Sequence, residues 1–247
     1  MSARRRRPLR LVLLVLGALL AVAVLGFLVW SSIVSGSDEE ALERVRADTG
    51  VSVERTDSAI VMTPTGGSSG EGLVFVPGAK VDAASYEATL APLVEEGATV
   101  VITRPILNLA FFDLRSLESF TDQAEGVDEW FVGGHSLGGV KACQWAEGDD
   151  VAGLVLLGSY CANDLSGSGT AVLSVSGSED GLSTPEKVAA ARDLLPDSAL
   201  VIEIEGANHA AFGWYGAQAG DGTATIGHEE SDAQLAAALT AFLESQR

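Results

Sequence analysis

An uncharged run of 20 residues, residues 11–30, constrains this chain more than any other feature of its sequence. A helix rises about 1.5 Å per residue, so a helix of this length extends roughly 30 Å, the thickness of a bilayer core. The run therefore predicts one transmembrane helix, with Trp30 as an interfacial anchor. A cleavable secretory signal is the alternative. Its apolar core is usually about 7–15 residues long, so the greater length favours an uncleaved anchor.

Charged residues are divided unevenly between the two sides of this run. Five of the 15 basic residues lie in the first ten positions, and the first acidic residue is Asp38. Because basic residues beside a first span tend to stay in the cytoplasm, we expect residues 1–10 to be a basic cytoplasmic tail and the rest to be extracytoplasmic. Cleavage of a signal would instead secrete the same domain. After residue 30 the balance is 10 − 34 = −24, and such a surface repels phosphate backbones, so nucleic acid is not an expected partner.

About 210 residues remain beyond the run, which suits one α/β core better than two domains. Residues 31–50 are interpreted as a linker and short helix, and residues 51–247 as one domain. Ser37 and Glu40 form a capping-box pattern, which predicts a helix through about Arg46.

Short apolar runs alternate with helical segments through the domain. The runs predict eight strands, at residues 51–55, 59–63, 73–76, 99–103, 130–133, 153–157, 171–175 and 199–204. Length and composition predict helices at residues 83–95, 137–147, 185–195 and 231–245. Continuous Val, Ile and Leu runs suit parallel strands that are buried on both faces. We therefore predict an α/β fold with a doubly wound, mostly parallel eight-stranded sheet, helices on both faces, and a ligand site at the carboxyl ends of the strands.

The pattern G-x-S-x-G can mark a strand-to-helix turn that exposes a nucleophilic serine, and it occurs twice. At residues 66–70 it lies in a polar loop that leads into a strand, so Ser68 is interpreted as a loop residue. At residues 134–138 a predicted strand precedes the pattern and a predicted helix follows it. This second context predicts Ser136 as the nucleophile.

The glycines of the second pattern have a physical role in such a turn. The strained backbone at Ser136 crowds the residues two before and two after it, so Gly134 and Gly138 remove side chains that would collide. The amide of Leu137, at the helix start, points toward negative charge that develops beside the serine. An inert serine at a glycine-rich helix start is the alternative.

A serine nucleophile requires a base, for which imidazole is the usual group. The chain has three histidines. His135 lies inside the turn, with its side chain expected to point away from Ser136. His228 stands at the start of the final helix, where a surface or capping role is more natural. His209 follows the last strand at the expected catalytic edge of the sheet and is the predicted base.

A carboxylate that orients this base should follow a strand between the serine and the histidine. Asp180 lies in the loop after the strand predicted at residues 171–175. Glu179 is one residue away and would face differently, and Asp164 follows the preceding strand. Position therefore favours Asp180, whereas any single carboxylate among 34 is otherwise a solvated surface charge.

With Ser136, Asp180 and His209 in that order, each after a strand, residues 51–247 resemble the α/β-hydrolase superfamily. The match is specific at residues 134–139 and general elsewhere. The resemblance implies the α/β-hydrolase fold and a Ser-Asp-His triad that needs no metal and no organic cofactor.

The resemblance also implies a second oxyanion donor in the turn after the third strand. Many members have His-Gly there, whereas this chain has Pro77 and Gly78, so the donor is expected to be the Ala79 amide. Residues 77–82 and 108–112 look like a compact, often membrane-anchored subgroup. Residues 158–169 are too few for a separate cap domain, so an open site is expected. Its borders are expected at residues 106–112 and 212–222, where Trp214 and Tyr215 either line a pocket or pack.

Cys143 and Cys161 are the only cysteines of the chain. In an oxidising compartment they can form one disulfide, and two buried unpaired thiols are the alternative. Two cysteines and three histidines leave few ligands for a metal site.

Together these features predict a membrane-anchored, extracytoplasmic serine hydrolase that cleaves ester or related acyl bonds of a small-molecule substrate through an acyl-enzyme. An acyltransferase with the same triad is one alternative. A catalytically silent, anchored binding domain is an alternative of a different class. The acidic surface favours neutral or cationic acyl compounds, an effect that salt screens.

Overall fold

The computed structural model describes residues 6–148 and 150–246. Residues 1–5 of the predicted basic tail therefore lie outside the described residues. Eight strands form one sheet: β1 (Val51–Arg55), β2 (Ala59–Pro64), β3 (Glu71–Val76), β4 (Thr99–Thr103), β5 (Glu129–His135), β6 (Gly153–Leu157), β7 (Ala171–Gly177) and β8 (Leu200–Ile204). The α-helices are α1 (Arg6–Ser32), α2 (Glu39–Ala47), α3 (Glu87–Glu95), α4 (Glu118–Thr121), α5 (Leu137–Gly148), α6 (Pro185–Ala190) and α7 (His228–Glu244).

The strands lie in the order β1-β2-β4-β3-β5-β6-β7-β8. β2 pairs antiparallel with both β1 and β4, and the pairs from β4 onward are parallel. Every residue of β3, β4 and β6 is buried. The prediction of a mostly parallel eight-stranded sheet is confirmed, because continuous apolar strands need cover on both faces.

Two hydrophobic clusters cover the faces of this sheet. Leu73 and Phe75 of β3 belong to the cluster that includes residues of α2, α3 and α7. Val74 and Val76 belong to the cluster that includes residues of α4 and α5. Alternate residues of one strand thus point to opposite layers, which is the doubly wound arrangement.

Several predicted helices differ from the observed ones at their ends. The helix predicted at 83–95 begins as a 3-10 turn, Ala83–Tyr86, and the one predicted at 185–195 ends in another, Arg192–Leu194. The cap of α2 is Asp38, which accepts a hydrogen bond from the Ala41 amide at 2.9 Å. Ser37, expected to cap this helix, instead hydrogen-bonds Ser85 at 3.1 Å. The local capping interaction is therefore made one residue later than predicted, and Ser37 makes a tertiary contact instead.

The helix from Arg10 to Ser32 is long and apolar enough to cross a membrane, which is a property that anchors and signal sequences share. The chain that leaves it lies against the domain. The Ser35 amide donates to the Lys80 carbonyl at 2.8 Å, and the Asp82 amide donates to the Ser35 carbonyl at 3.0 Å. Asn108 donates its side-chain amide to the Ser31 carbonyl at 3.0 Å. These bonds connect the end of α1 to the loops that follow β3 and β4.

Candidate active site

The turn between β5 and α5 places Ser136 at the carboxyl edge of the sheet. Its φ of 52° lies in the left-handed region, which is rare for a residue with a side chain. A Cβ atom on Gly134 would lie 2.4 Å from the carbonyl carbon of Gly138. A Cβ atom on Gly138 would lie 2.0 Å from the carbonyl oxygen of Val76. Both glycines are therefore required by contacts across the turn.

Ser159, just beyond β6, supports this turn and was not identified from the sequence. Its hydroxyl donates to the Ser136 carbonyl at 2.6 Å, and the Ser136 amide donates to the Leu157 carbonyl at 3.0 Å. A Cβ atom on Gly139 would lie 2.4 Å from the Ser159 hydroxyl. The neighbouring strand thus fixes the backbone of Ser136, and only small residues fit between them.

Asp180 and His209 are brought together from two different loops. His209 begins a 3-10 turn after β8, and its Nδ1 lies 2.7 Å from Oδ2 of Asp180. Both side chains are fully buried. The other carboxylate oxygen accepts from the amides of Leu182 and Ser183 at 2.8 and 2.7 Å. Because Asp180 is held at both oxygens, it can fix the imidazole so that Nε2 is the free base.

The structure does not join His209 to Ser136 by a hydrogen bond among the described residues. The Nε2 atom of His209 is buried without a hydrogen-bond partner there. Catalytic hydrogen bonds are often long before substrate binds, so this geometry leaves the predicted base in place.

Asp221, which was not identified from the sequence, connects the loops that carry the acid and the base. Its Oδ1 accepts from the amides of Gly181 and His209 at 3.1 and 3.0 Å, and its Oδ2 accepts from the Ala210 amide at 2.9 Å. One carboxylate therefore fixes the backbone on both sides of the Asp180–His209 pair. No sequence pattern marks this aspartate, which lies in a glycine-rich loop, as a residue of the site.

His135 lies beneath the base and not at the surface. Its ring centroid is 4.4 Å from that of His209, and the side chain is buried. Burial, and to a lesser extent the proximity of His209, hold the pKa of His135 well below its usual value, so this imidazole stays neutral.

Tyr86 connects this imidazole to the loop after β3. Its hydroxyl lies 2.8 Å from Nδ1 of His135 and accepts from the Gly78 amide at 3.0 Å. Burial raises the pKa of Tyr86, so the phenol keeps its proton and can donate it to Nδ1. A hydrogen-bonded chain thus supports the turn next to Ala79.

The predicted oxyanion donors, the amides of Leu137 and Ala79, lie on adjoining segments. Gly138 packs against the backbone carbonyls of Val76 and Pro77, so the start of α5 touches the loop that carries Ala79. Neither amide has an acceptor among the hydrogen bonds of the described residues. Their role as donors stays a prediction.

The two aromatic residues expected at the border of the site do not line the groove beside Ser136. Tyr215 is buried and packs against Tyr86 and His135. Trp214 faces α2 instead, where Arg44 lies 4.5 Å from its ring.

The segment expected at the other border is exposed, and it forms one wall of a groove of about 420 Å³. Residues 110–114 line one wall, and four residues of α5 line the other: Leu137, Val140, Lys141 and Gln144. Between β6 and β7 the chain forms neither helix nor strand, so no cap covers this edge. A disulfide joins Cys143 of α5 to Cys161 in that connection.

Two of the residues rejected on sequence grounds, Ser68 and His228, lie away from this arrangement, whereas His135 lies within it. Ser68 is in a loop, where its hydroxyl accepts from the Gly70 amide. His228 begins α7 and packs edge-on against Trp214, with ring centroids 4.1 Å apart. In the part of the chain that the structure describes, no group of three or more His, Cys, Asp or Glu side chains could hold a metal ion.

Three solved structures share this fold. Their sequences are at most 17% identical to this chain, so the similarity shows the fold alone. TT1662 from Thermus thermophilus is 17% identical, with a TM-score of 0.56, over 79% of this chain and 98% of its own. DcsB, solved with its substrate analogue, is 16% identical, with a TM-score of 0.55, over 80% of this chain and 99% of its own. An alpha-beta serine hydrolase homologue from Coxiella burnetii is 15% identical, with a TM-score of 0.55, over 79% of this chain and 97% of its own.

No curated protein matches the chain at a significant level. The model of the alpha/beta hydrolase family matches residues 72–233, which is more than half of the chain. The matched span contains the turn at Ser136, Asp180 and His209. The chain is therefore a member of the α/β-hydrolase family.

Proposed function

We propose that this protein hydrolyses carboxylic esters or related acyl bonds with Ser136 as nucleophile, His209 as base and Asp180 as the group that orients the base. The observation that carries the proposal is the 2.7 Å contact between the buried Asp180 carboxylate and Nδ1 of His209. The left-handed backbone of Ser136 at the same edge of the sheet supports it.

The steps follow from this arrangement. The Ser136 hydroxyl attacks the acyl carbon and passes its proton to Nε2 of His209, while the Leu137 and Ala79 amides stabilise the oxyanion. The bond to the leaving alcohol breaks, and that alcohol takes the proton. Water then attacks the acyl-enzyme through the same base, which releases the acid and restores the serine hydroxyl. Asp180 stabilises the imidazolium in both halves.

We further propose that α1 is an uncleaved anchor and that the domain is extracytoplasmic. Ser31, at the end of α1, is buried, and Asn108 bonds its carbonyl, so the helix end is integrated with the domain. The disulfide between Cys143 and Cys161 supports an oxidising compartment.

A serine-directed fluorophosphonate probe tests the catalytic proposal. We expect the probe to label the wild type and to fail to label the Ser136→Ala variant. The matched control is Ser68→Ala, which removes the serine of the other G-x-S-x-G pattern and should leave labelling intact. Equal labelling of wild type and Ser136→Ala would refute the assignment. Product analysis with an added alcohol separates hydrolysis from acyl transfer.

A further inference from the structure

Four apolar side chains stand exposed beside the candidate active site. We call Ile106, Phe111, Phe112 and Leu114 the apolar rim; they are 50%, 75%, 42% and 89% exposed. The rim belongs to the segment that follows β4, and three of its residues, Phe111, Phe112 and Leu114, line the wall of the groove that faces Leu137 and α5. Clusters of exposed large apolar residues often mark surfaces that bind another protein or a membrane.

The rim continues the apolar surface of α1. Phe27 of α1 contacts Phe112, with ring centroids 5.7 Å apart, and Phe112 contacts Phe111 at 5.5 Å. One turn beyond Phe27, Trp30 lies 4.2 Å from the ammonium of Lys80. Aromatic residues of this kind prefer the boundary between lipid and water. A bilayer crossed by α1 therefore meets the rim where the helix emerges.

The charges around the rim also suit a membrane surface. After residue 30 the chain has only ten basic residues, and four of them belong to this region: Lys80, Arg104, Arg115 and Lys141. The Arg115 guanidinium donates to Asp113 at 2.8 Å and also to the Arg104 carbonyl, so the charges of Arg115 and Asp113 offset each other, and Lys80, Arg104 and Lys141 supply the positive charge of this region. The domain as a whole has a formal net charge of −24, whereas the basic side chains of this region can bind lipid phosphates.

The groove behind the rim has the size and the lining of a small-molecule site. Its volume of about 420 Å³ lies within the usual range for ligand pockets. Ala110, Leu137 and Val140 give it apolar walls. Leu137, which lines the groove, directly follows Ser136, so the groove begins next to the turn that carries the nucleophile.

We propose that the apolar rim inserts into the membrane surface beside α1, and that the groove takes the acyl chain of an ester held in that membrane. The substrate class is then a lipid ester and not a dissolved one. This inference rests on the proposed function, because it needs Ser136 as the reacting group.

The test uses the full chain in phosphatidylcholine vesicles. Two rates are measured, one with a long-chain ester, 4-methylumbelliferyl palmitate, dissolved in the bilayer, and one with p-nitrophenyl acetate in water. The variant is Phe111→Ser with Leu114→Ser; both side chains are exposed and both also line the groove, so this variant tests the rim and the groove together. We expect the ratio of the palmitate rate to the acetate rate to fall by about tenfold or more, because two membrane-contacting side chains are lost. The control Leu200→Ser, at a half-exposed apolar residue of β8, should keep the wild-type ratio.

A double variant with the wild-type ratio would overturn the inference. So would a wild type that cleaves the acetate and leaves the palmitate intact, and in that case the proposed function stands. If the wild type cleaves neither ester and the fluorophosphonate does not label Ser136, the proposed function itself fails. Equal melting temperatures of wild type and variants exclude a folding defect as the cause of a lower ratio.

Discussion

Replacing Asp221 by Ala tests whether one carboxylate positions the base and the acid together. The substitution removes the acceptor of four amides, those of Gly181, His209, Ala210 and the adjacent Gly222. Each hydrogen bond to a charged group contributes about 1.5–3 kcal/mol, but Asp221 is half-buried, so water replaces much of this. We therefore expect the free energy of unfolding to fall by about 2–3 kcal/mol. Displacement of the His209 backbone should lower kcat by about 10- to 100-fold, since a shift near 1 Å can cost a hundredfold.

Steady-state hydrolysis of p-nitrophenyl acetate and urea unfolding measure the two effects. KM should change little, because Asp221 faces the backbone of the two loops. Asp221→Asn keeps one oxygen acceptor and should give an intermediate kcat. Asp197→Ala is the matched control, because it removes the same charge from an exposed position. Wild-type kcat in Asp221→Ala would refute the positioning role, and a lower stability with unchanged kcat would make it a structural residue only.

Three further predictions follow from the contacts. Replacing both Cys143 and Cys161 by Ala opens a crosslink over 18 residues and should lower the free energy of unfolding by about 3 kcal/mol in urea titrations. The pKa of His135 is lowered in the folded protein. Below about pH 6.5, His135 therefore binds a proton in the unfolded chain but not in the folded one. The free energy of unfolding should therefore fall by up to about 1.4 kcal/mol per pH unit on acidification, and His135→Gln should reduce this slope between pH 7.5 and 5. Gly138→Ala places a methyl group 2.0 Å from the Val76 carbonyl and should abolish fluorophosphonate labelling; normal labelling would contradict the close packing.

The sheet was predictable because its signal is local. The strands at 51–55, 99–103 and 153–157 match the observed bounds. The last two are apolar runs that begin or end at threonine or glycine, and the first is a short run rich in β-branched valine. The family was predictable for a related reason, because residues 134–139 carry the constraint of one tight turn within six positions.

The residues that hold the catalytic groups in place could not be predicted, because their contacts join positions that are distant in the sequence. Tyr86 and His135 are 49 positions apart, and Ser159 is 23 positions from the carbonyl that it bonds. Asp221 has no local pattern at all. The capping of α2 shows the same limit: Ser37 fits the motif, but its hydroxyl contacts Ser85 across the fold, and the next residue, Asp38, caps the helix.

The two hydrogen bonds between Ser35 and residues 80–82 couple α1 mechanically to the loop after β3. A force applied along α1 reaches the loop that contains Ala79 through two backbone hydrogen bonds, without passing through the sheet. In the anchored protein that we propose, removing the helix by proteolysis would release the loop from this force as well as the domain from the membrane.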